Sequence, residues 1–115
     1  MLVTKKFKFD AAHFLTNYHG KCEKLHGHTY KLQVTVEGDV KEDGMVMDFV
    51  ELKKIVNERV ISKLDHSSLN DTIENPSAEN IAIWIWNRLK DISEAKLYEV
   101  KVWETATSFV TYRGE

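Results

Sequence analysis

The stretch Thr29-Tyr30-Lys31-Leu32-Gln33-Val34-Thr35-Val36-Glu37 alternates polar and apolar side chains from end to end. Successive side chains of an extended backbone point to opposite faces, so this pattern predicts a β-strand with one buried face. The residues from Val3 to Phe9 show the same period of two and predict a strand before it. The pairs Gly38-Asp39 and Asp43-Gly44 are typical of turns and close this strand-forming part of the chain.

The next segment predicts a helix that begins after Asp48 and runs to about Leu64. Asp48 is a good N-cap, and Glu51 three residues later resembles the second half of a capping box. The apolar residues that follow recur at helical spacing and are Phe49, Leu52, Ile55, Val56 and Val60.

A second helix is predicted to open at Pro76, with Ser77 as its N-cap and Glu79 in its first turn. Ile83 and Trp86 widen the apolar stripe of this helix beyond what one sheet face needs. A subunit interface is one explanation for the extra apolar surface.

The C-terminal part predicts two more strands, from Tyr98 to Glu104 and from Ser108 to Arg113. The polar segment from Asp65 to Asn75 is expected to be irregular. The order ββααββ predicts an α+β fold in which helices cover one face of a four-stranded antiparallel sheet. With 115 residues, the chain is expected to form a single domain, residues 1–115.

Charge and cysteine content restrict the classes of protein to consider. Sixteen Lys and Arg against 18 Asp and Glu give a net charge of -2, so we expect neither a nucleic acid nor a membrane as partner. Cys22 is the single cysteine, which excludes an intramolecular disulfide. Met1 to Asp10 lacks the continuous apolar segment of a signal peptide, and we expect a cytoplasmic protein.

Three histidines are candidate metal ligands. His26 and His28 flank Gly27, so on an extended backbone both imidazoles point the same way and the glycine leaves the approach clear. Catalytic zinc commonly takes three protein ligands, and His13, expected just past the first strand beside Ala11 and Ala12, is the third candidate. Surface histidines without function are the plain alternative, and His19 is assigned to that class.

Three further positions carry reactive groups. Cys22 precedes His26 by four residues and is either a fourth zinc ligand, a base or nucleophile beside the metal, or an inert buried thiol. Asp65-His66 is either an acid–base pair or a polar helix end. Glu104 ends an apolar strand, where its carboxylate either accepts two parallel N–H donors of a ligand or is simply exposed.

Together these residues resemble the 6-pyruvoyltetrahydropterin synthase and 6-carboxytetrahydropterin synthase family. The similar stretches run in family order over nearly the whole chain. They are Phe9-Asp10-Ala11-Ala12-His13, Cys22-Glu23-Lys24-Leu25-His26-Gly27-His28, Gly44-Met45-Val46-Met47-Asp48-Phe49, Leu64-Asp65-His66, Asn75-Pro76-Ser77-Ala78-Glu79-Asn80 and Trp103-Glu104-Thr105.

The resemblance implies a tunnelling fold, in which three subunits close their sheets into a barrel and two trimers stack into a homohexamer. It also implies the roles of individual residues. The expected zinc ligands are His13, His26 and His28. The expected base is Cys22, with Asp65 and His66 of a neighbouring subunit as its acid–base partners. The expected pterin contacts are Glu104, which anchors the ring N–H and amino group, and the pocket-lining Ser77 and Glu79.

The reaction that the resemblance implies starts from 7,8-dihydroneopterin triphosphate. One branch of the family forms 6-pyruvoyltetrahydropterin. A second also releases acetaldehyde and forms 6-carboxy-5,6,7,8-tetrahydropterin, a precursor of the deazapurine bases of tRNA such as queuosine. A third cleaves the side chain to 6-hydroxymethyl-7,8-dihydropterin. The three-residue gap between Cys22 and His26 resembles the carboxy-forming branch, and Glu23 resembles members with the hydroxymethyl reaction. A non-catalytic pterin-binding or structural zinc domain is the alternative from another class.

Overall fold

The computed structural model describes residues 1–16 and 24–115. Within these two ranges the chain forms one five-stranded sheet with the order β3-β1-β2-β4-β5. The strands are β1 (Leu2–His13), β2 (His26–Glu37), β3 (Ser67–Ser68), β4 (Lys96–Trp103) and β5 (Phe109–Tyr112). The four longer strands pair antiparallel, in the predicted chain order.

The strand β3 was not predicted, and it makes the sheet mixed. Ser67 and Ser68 pair parallel with Ala11 and Ala12 at the outer edge of β1. A hydrogen bond of 2.6 Å from the His66 amide to the Asp10 carbonyl holds this segment beside β1. The prediction of a four-stranded, purely antiparallel sheet was therefore wrong in this detail. A strand of two polar residues has no hydrophobic period by which it could be recognised.

Strands β1 and β2 are also longer than predicted, and this places the histidines. The ladder continues past the alternating segments to the cross-strand pairs Ala11↔His28 and His13↔His26. His13 thus lies within β1, and the expectation that it lies just past the first strand was wrong. Ala11 and Ala12 show no alternation of polar and apolar side chains. Their backbones nevertheless pair with β2 in the same ladder as those of Phe7 and Phe9.

The first helix ends at Leu64, as predicted. It consists of α1 (Phe49–Val56), a wider π-helical turn (Asn57–Ile61) and a last short turn, α2 (Ser62–Leu64). The Asp48 side chain accepts a hydrogen bond of 2.8 Å from the Val50 amide, which confirms its role as N-cap. Every fourth residue is fully buried, namely Leu52, Val56, Val60 and Leu64. This period exceeds the 3.6 residues of an α-helix, so one wider turn keeps all four against the sheet.

The second helix, α3 (Ala78–Leu89), begins directly after Ser77, whose hydroxyl accepts a hydrogen bond of 3.2 Å from the Asn80 amide. Its buried residues are Ala78, Ile81, Ala82, Ile85 and Leu89, the stripe expected of a helix on a sheet. Trp86 packs edge-on against Tyr112 of β5, with ring centroids 5.6 Å apart. Part of the extra apolar surface of this helix therefore contacts the chain's own last strand.

The helices cover one face of the sheet, and the other face is mainly polar apart from the stacked rings of Trp103 and Phe109. On β2 the side chains of Tyr30, Leu32 and Val34 are buried, whereas Lys31 between them is exposed. The predicted α+β class is confirmed. In the part of the chain that the structure describes, no helix is long and apolar enough to cross a bilayer.

Candidate metal centre

The pairing of β1 with β2 brings the three predicted ligands together. His13 lies directly opposite His26, and His28 lies opposite Ala11 two positions along the same face. Side chains that are directly opposite in an antiparallel pair point to the same side of the sheet. The ligand atoms of His13, His26, His28 and Glu104 all lie within 4.8 Å of one another.

Three short distances connect the ligand atoms of this cluster. The Nε2 atoms of His13 and His26 lie 3.1 Å apart. The Glu104 Oε1 atom lies 3.0 Å from His28 Nε2 and 3.3 Å from His13 Nε2. His13 is fully buried, and the Glu104 side chain is 28% exposed, so the cluster opens to solvent on the side of Glu104.

Backbone carbonyls fix the tautomers of two of these imidazoles. His13 Nδ1 lies 2.7 Å from the Pro76 carbonyl oxygen, and His26 Nδ1 lies 2.7 Å from the Lys24 carbonyl oxygen. A carbonyl only accepts, so each Nδ1 carries the proton and donates it. In the neutral rings both Nε2 atoms then present lone pairs, which point into the cluster.

This donor set fits a metal ion. Two lone pairs 3.1 Å apart repel each other unless a cation lies between them. Nitrogen ligands of a tetrahedral zinc ion bind at about 2.0–2.1 Å, which places two of them about 3.3 Å apart. His28 Nε2 is buried and has no assigned hydrogen-bond partner among residues 1–16 and 24–115, although Glu104 Oε1 lies 3.0 Å from it. A metal ion would satisfy all three nitrogens at once.

The surroundings favour the neutral, ligating form of His28. Burial lowers the pKa of His28, and the nearby Glu104 charge opposes this shift without reversing its direction. Tyr30 lies beneath the cluster, with its ring edge-on to His13 and His28 at centroid distances of 5.8 and 5.5 Å. Burial, together with the Glu104 carboxylate, raises the pKa of Tyr30 and keeps its hydroxyl protonated.

Glu104 lies one residue past the end of β4, where the β4–β5 turn begins. Its amide donates a hydrogen bond of 3.1 Å to the Ser108 carbonyl, which fixes the backbone at this point. The carboxylate reaches the histidines, so two roles are chemically open to it. It would either close the metal site as a fourth ligand or remain available to a bound molecule at the mouth of the site.

Asp65 and His66 form a separate cluster with Asp10. The Asp10 amide donates to Asp65 Oδ1 at 3.0 Å, and His66 Nδ1 lies 3.0 Å from Asp65 Oδ2. Neighbouring residues can pair in this way because His66 has a left-handed backbone with φ of 56°. The hydrogen bond from Asp10 is the main cause that lowers the pKa of Asp65, so its carboxylate is ionised.

This second cluster lies at the outer edge of β1. A cavity of about 550 Å³ beside it is lined by residues of both sheet faces, among them Asp10, Gly27, His28 and His66. Gly27 lies between His26 and His28 on β2, so a side chain there would point to the opposite face of the strand, and the expectation that the glycine clears the approach of the two imidazoles was wrong. Its missing side chain instead leaves room in front of His66.

The remaining predicted residues are placed as follows. Cys22 and Glu23, together with His19, lie outside the described residues. Ser77 uses its hydroxyl as the N-cap of α3, and Glu79 is exposed on the first turn of that helix. Neither belongs to the metal-ligand group or to the Asp65 cluster.

Sequence reasoning missed three contributors to these clusters. The Pro76 carbonyl has no side-chain signature, and its contact with His13 spans 63 residues. Tyr30 was assigned to the core, although its position two residues after His28 places it on the same face. Asp10 contacts Asp65 and His66 through its backbone amide and carbonyl, and backbone contacts of this kind have no side-chain signature.

These features define an α+β protein with a three-histidine site at the helix-covered face of its sheet. The 6-pyruvoyl tetrahydropterin synthase family model matches residues 2–115, and the chain belongs to this family. The chain is 39% identical to the 6-carboxy-5,6,7,8-tetrahydropterin synthase of Haemophilus influenzae, over 96% of this chain and 97% of that protein.

Two other relatives are informative. The chain is 46% identical to the dihydroneopterin monophosphate aldolase of Pyrococcus furiosus, over 84% of this chain and 82% of that protein. The structure of Caenorhabditis elegans 6-pyruvoyl tetrahydropterin synthase superposes with a TM-score of 0.90 at 30% identity, covering 100% of this chain and 96% of that one. The relatives therefore share the fold and differ in their named activities.

Replacement of a metal ligand should remove the metal, whereas replacement of a histidine outside the group should not. We expect His26→Ala to lower bound metal to a small fraction of one equivalent, because two imidazoles and a partly exposed carboxylate hold an ion weakly. His66→Ala is the matched control and should keep the wild-type metal content. Elemental analysis of the purified proteins after dialysis measures both.

Equal metal content in His26→Ala and His66→Ala would contradict the assigned ligands. Glu104→Gln, measured in the same way, separates the two roles of that carboxylate. Retention of the metal would exclude Glu104 as an essential ligand.

Proposed function

We propose that this protein converts 7,8-dihydroneopterin triphosphate to 6-carboxy-5,6,7,8-tetrahydropterin, with loss of acetaldehyde and triphosphate, in a zinc-dependent reaction. The convergence of three imidazole Nε2 atoms is the observation that carries this proposal. The similarity to the Haemophilus influenzae enzyme over nearly the full length of both chains supports the choice of product. The three-residue gap between Cys22 and His26 favours the same branch of the family.

His13, His26 and His28 would hold the zinc ion through their Nε2 atoms. When bound, the ion supplies a Lewis acid that makes coordinated hydroxyl groups of the substrate easier to deprotonate. The carbonyls of Pro76 and Lys24 keep the two Nδ1 protons in place, so the imidazoles keep their lone pairs available throughout the reaction.

Glu104 would bind the pterin ring. An ionised carboxylate accepts two parallel N–H donors, and the ring N–H and the adjacent amino group of a pterin present such a pair. The position of Glu104 at the solvent-facing side of the cluster would place the substrate side chain against the metal. Ser77 and Glu79 would line the same pocket, as the family resemblance implies.

His66 would exchange protons with the substrate at its Nε2 atom. Its Nδ1 atom is paired with Asp65, and the side chain is 78% exposed, which leaves Nε2 accessible. The Asp65 carboxylate holds the orientation of the ring through this contact with Nδ1. Cys22 remains the expected proton-abstracting base, on the family resemblance alone.

A complete active site would then need more than one subunit. The Asp65–His66 pair lies at the outer edge of β1 and forms a group separate from the metal ligands of the same chain. A neighbouring chain in the homohexamer that the family resemblance implies would bring the two clusters together. The single cysteine is compatible with a reducing compartment, and we propose a cytoplasmic location.

Side-chain cleavage to 6-hydroxymethyl-7,8-dihydropterin is the second candidate activity. Glu23 beside Cys22 and the 46% identity to the Pyrococcus furiosus aldolase favour it. A 6-pyruvoyltetrahydropterin product is the third candidate, and mass separates all three.

Incubation of the purified zinc-loaded protein with 7,8-dihydroneopterin triphosphate tests the proposal. We expect a product with the mass of 6-carboxy-5,6,7,8-tetrahydropterin, together with acetaldehyde. Protein treated with a chelator is the control and should give no product. The hydroxymethyl or pyruvoyl product from the loaded protein would replace the proposed reaction by one of its alternatives, and no turnover would favour a binding protein.

Co-expression of two inactive variants tests whether the active site is shared. His26→Ala lacks a metal ligand, and His66→Ala lacks the proton-exchanging group, so each is expected to be inactive alone. Mixed oligomers should regain a measurable fraction of wild-type activity, because some sites then combine an intact metal cluster with an intact Asp65–His66 pair. Activity that stays absent in mixed oligomers would place both clusters of one site in the same chain.

A further inference from the structure

Hydrogen bonds from His13, Phe14 and Thr16 join the end of β1 to the segment before α3. Phe14 and Asn70 form a reciprocal pair, in which the Phe14 amide donates to Asn70 Oδ1 and Asn70 Nδ2 donates to the Phe14 carbonyl, each at 3.0 Å. The Thr16 amide donates to Asn75 Oδ1 at 2.9 Å. These contacts begin at a metal ligand, since His13 itself binds the Pro76 carbonyl.

The Pro76 carbonyl is held in position from both sides. Proline fixes its own φ, so the direction of this carbonyl depends on the residue before it and on the helix after it. The Asn75 carbonyl accepts the Ser77 amide at 2.8 Å and Asn80 Nδ2 at 2.9 Å. The backbone of residues 75–77 is therefore anchored to the first turn of α3.

Asn75 has a left-handed backbone with φ of 45°. Asparagine tolerates this conformation better than other residues with a Cβ atom, and alanine tolerates it poorly. The reversal at Asn75 turns the next carbonyl, that of Pro76, toward the buried His13 ring. A change to an ordinary backbone conformation at this residue would redirect that carbonyl.

From these contacts we infer that Asn75 is a positioning residue for the metal centre, which acts through the Pro76 carbonyl on the tautomer and ring orientation of His13. The inference rests on the proposed metal site and adds the residue that prepares one of its ligands. Partners that orient a ligating imidazole typically contribute about 10–100-fold to metal affinity. Within the described ranges, the hydrogen bonds of Asn75 go to Thr16, Ser77 and Asn80 and not to the metal-ligand atoms.

Metal affinity, measured by competition with a chromogenic chelator, tests the inference without any catalytic assay. Asn75→Ala removes the side-chain acceptor and disfavours the left-handed backbone, and we expect about 10–100-fold weaker binding of zinc. Asn75→Gly restores the backbone conformation alone and should recover most of this loss. Asn87→Ala, an exposed asparagine on α3, is the control and should bind zinc as the wild type does.

The visible spectrum of the cobalt-substituted proteins gives a second readout, because its bands report the ligand geometry. We expect altered bands for Asn75→Ala and wild-type bands for Asn75→Gly. Wild-type affinity and bands in Asn75→Ala, even with lower thermal stability, would overturn the inference and leave Asn75 a merely structural role.

If Asn75→Ala does not fold, or if the wild type binds no zinc, the NMR shifts of the imidazole nitrogens in the metal-free wild type test the inference. These shifts show which nitrogen of His13 carries the proton. His13 should carry its proton on Nδ1. A proton on Nε2 would overturn the inference. Absence of zinc binding together with an Nδ1 proton would overturn the proposed function and leave the link between Asn75 and His13 intact.

Discussion

The approach of two imidazole lone pairs, on His13 and His26, is the constraint on which the rest of the structure depends. Each ring donates its Nδ1 proton to a backbone carbonyl, and their Nε2 atoms are left 3.1 Å apart. In the absence of a cation this arrangement is repulsive. The backbone of β1 and β2 imposes it nonetheless, because His13 and His26 are a cross-strand pair in a ladder of twelve residues.

The same sheet face makes both the core and the site. From Val36 to Tyr30 the inward residues of β2 are aliphatic or aromatic, and beyond Tyr30 they are His28 and His26. The helices cover the first part and leave the second part next to Glu104 and solvent. The hydrogen bonds between β1 and β2 stabilise the fold, and the same hydrogen bonds fix the backbone of the three histidines. The imidazoles are therefore held rigidly. The Asp65–His66 pair lies apart from the three histidines, at the outer edge of β1 where β3 pairs with it.

The sequence predicted the α+β class, the four long strands, both helices and their N-caps, because period-two and helical patterns and capping residues are local signals. It also predicted the three histidines as one group, since the spacing of His26 and His28 needs only an extended backbone. The full length of β1 was not predicted, because Ala11 and Ala12 pair through their backbone and show no alternation of polar and apolar side chains. The short strand β3 was not predicted, because a tertiary hydrogen bond from the His66 amide to the Asp10 carbonyl fixes its position.

The contacts that prepare the site for a metal could not be predicted from a single sequence. The bond from His13 to the Pro76 carbonyl joins a side chain to a backbone atom 63 residues away, and neither residue type signals it. The lowered pKa of His28 results mainly from burial, which depends on the packing of the whole domain. Left-handed backbones at Asn75 and His66 follow from tertiary contacts, although asparagine and histidine tolerate them better than most residues.

X-ray absorption at the zinc edge of the loaded protein tests the central claim most directly. A site made by the three imidazoles predicts a first shell of nitrogen and oxygen atoms at about 2.0–2.1 Å, with the outer-shell scattering of three histidine rings. A sulfur atom at about 2.3 Å would make Cys22 a ligand and close the site. Scattering from fewer than three imidazoles would contradict the convergence of His13, His26 and His28 on one ion.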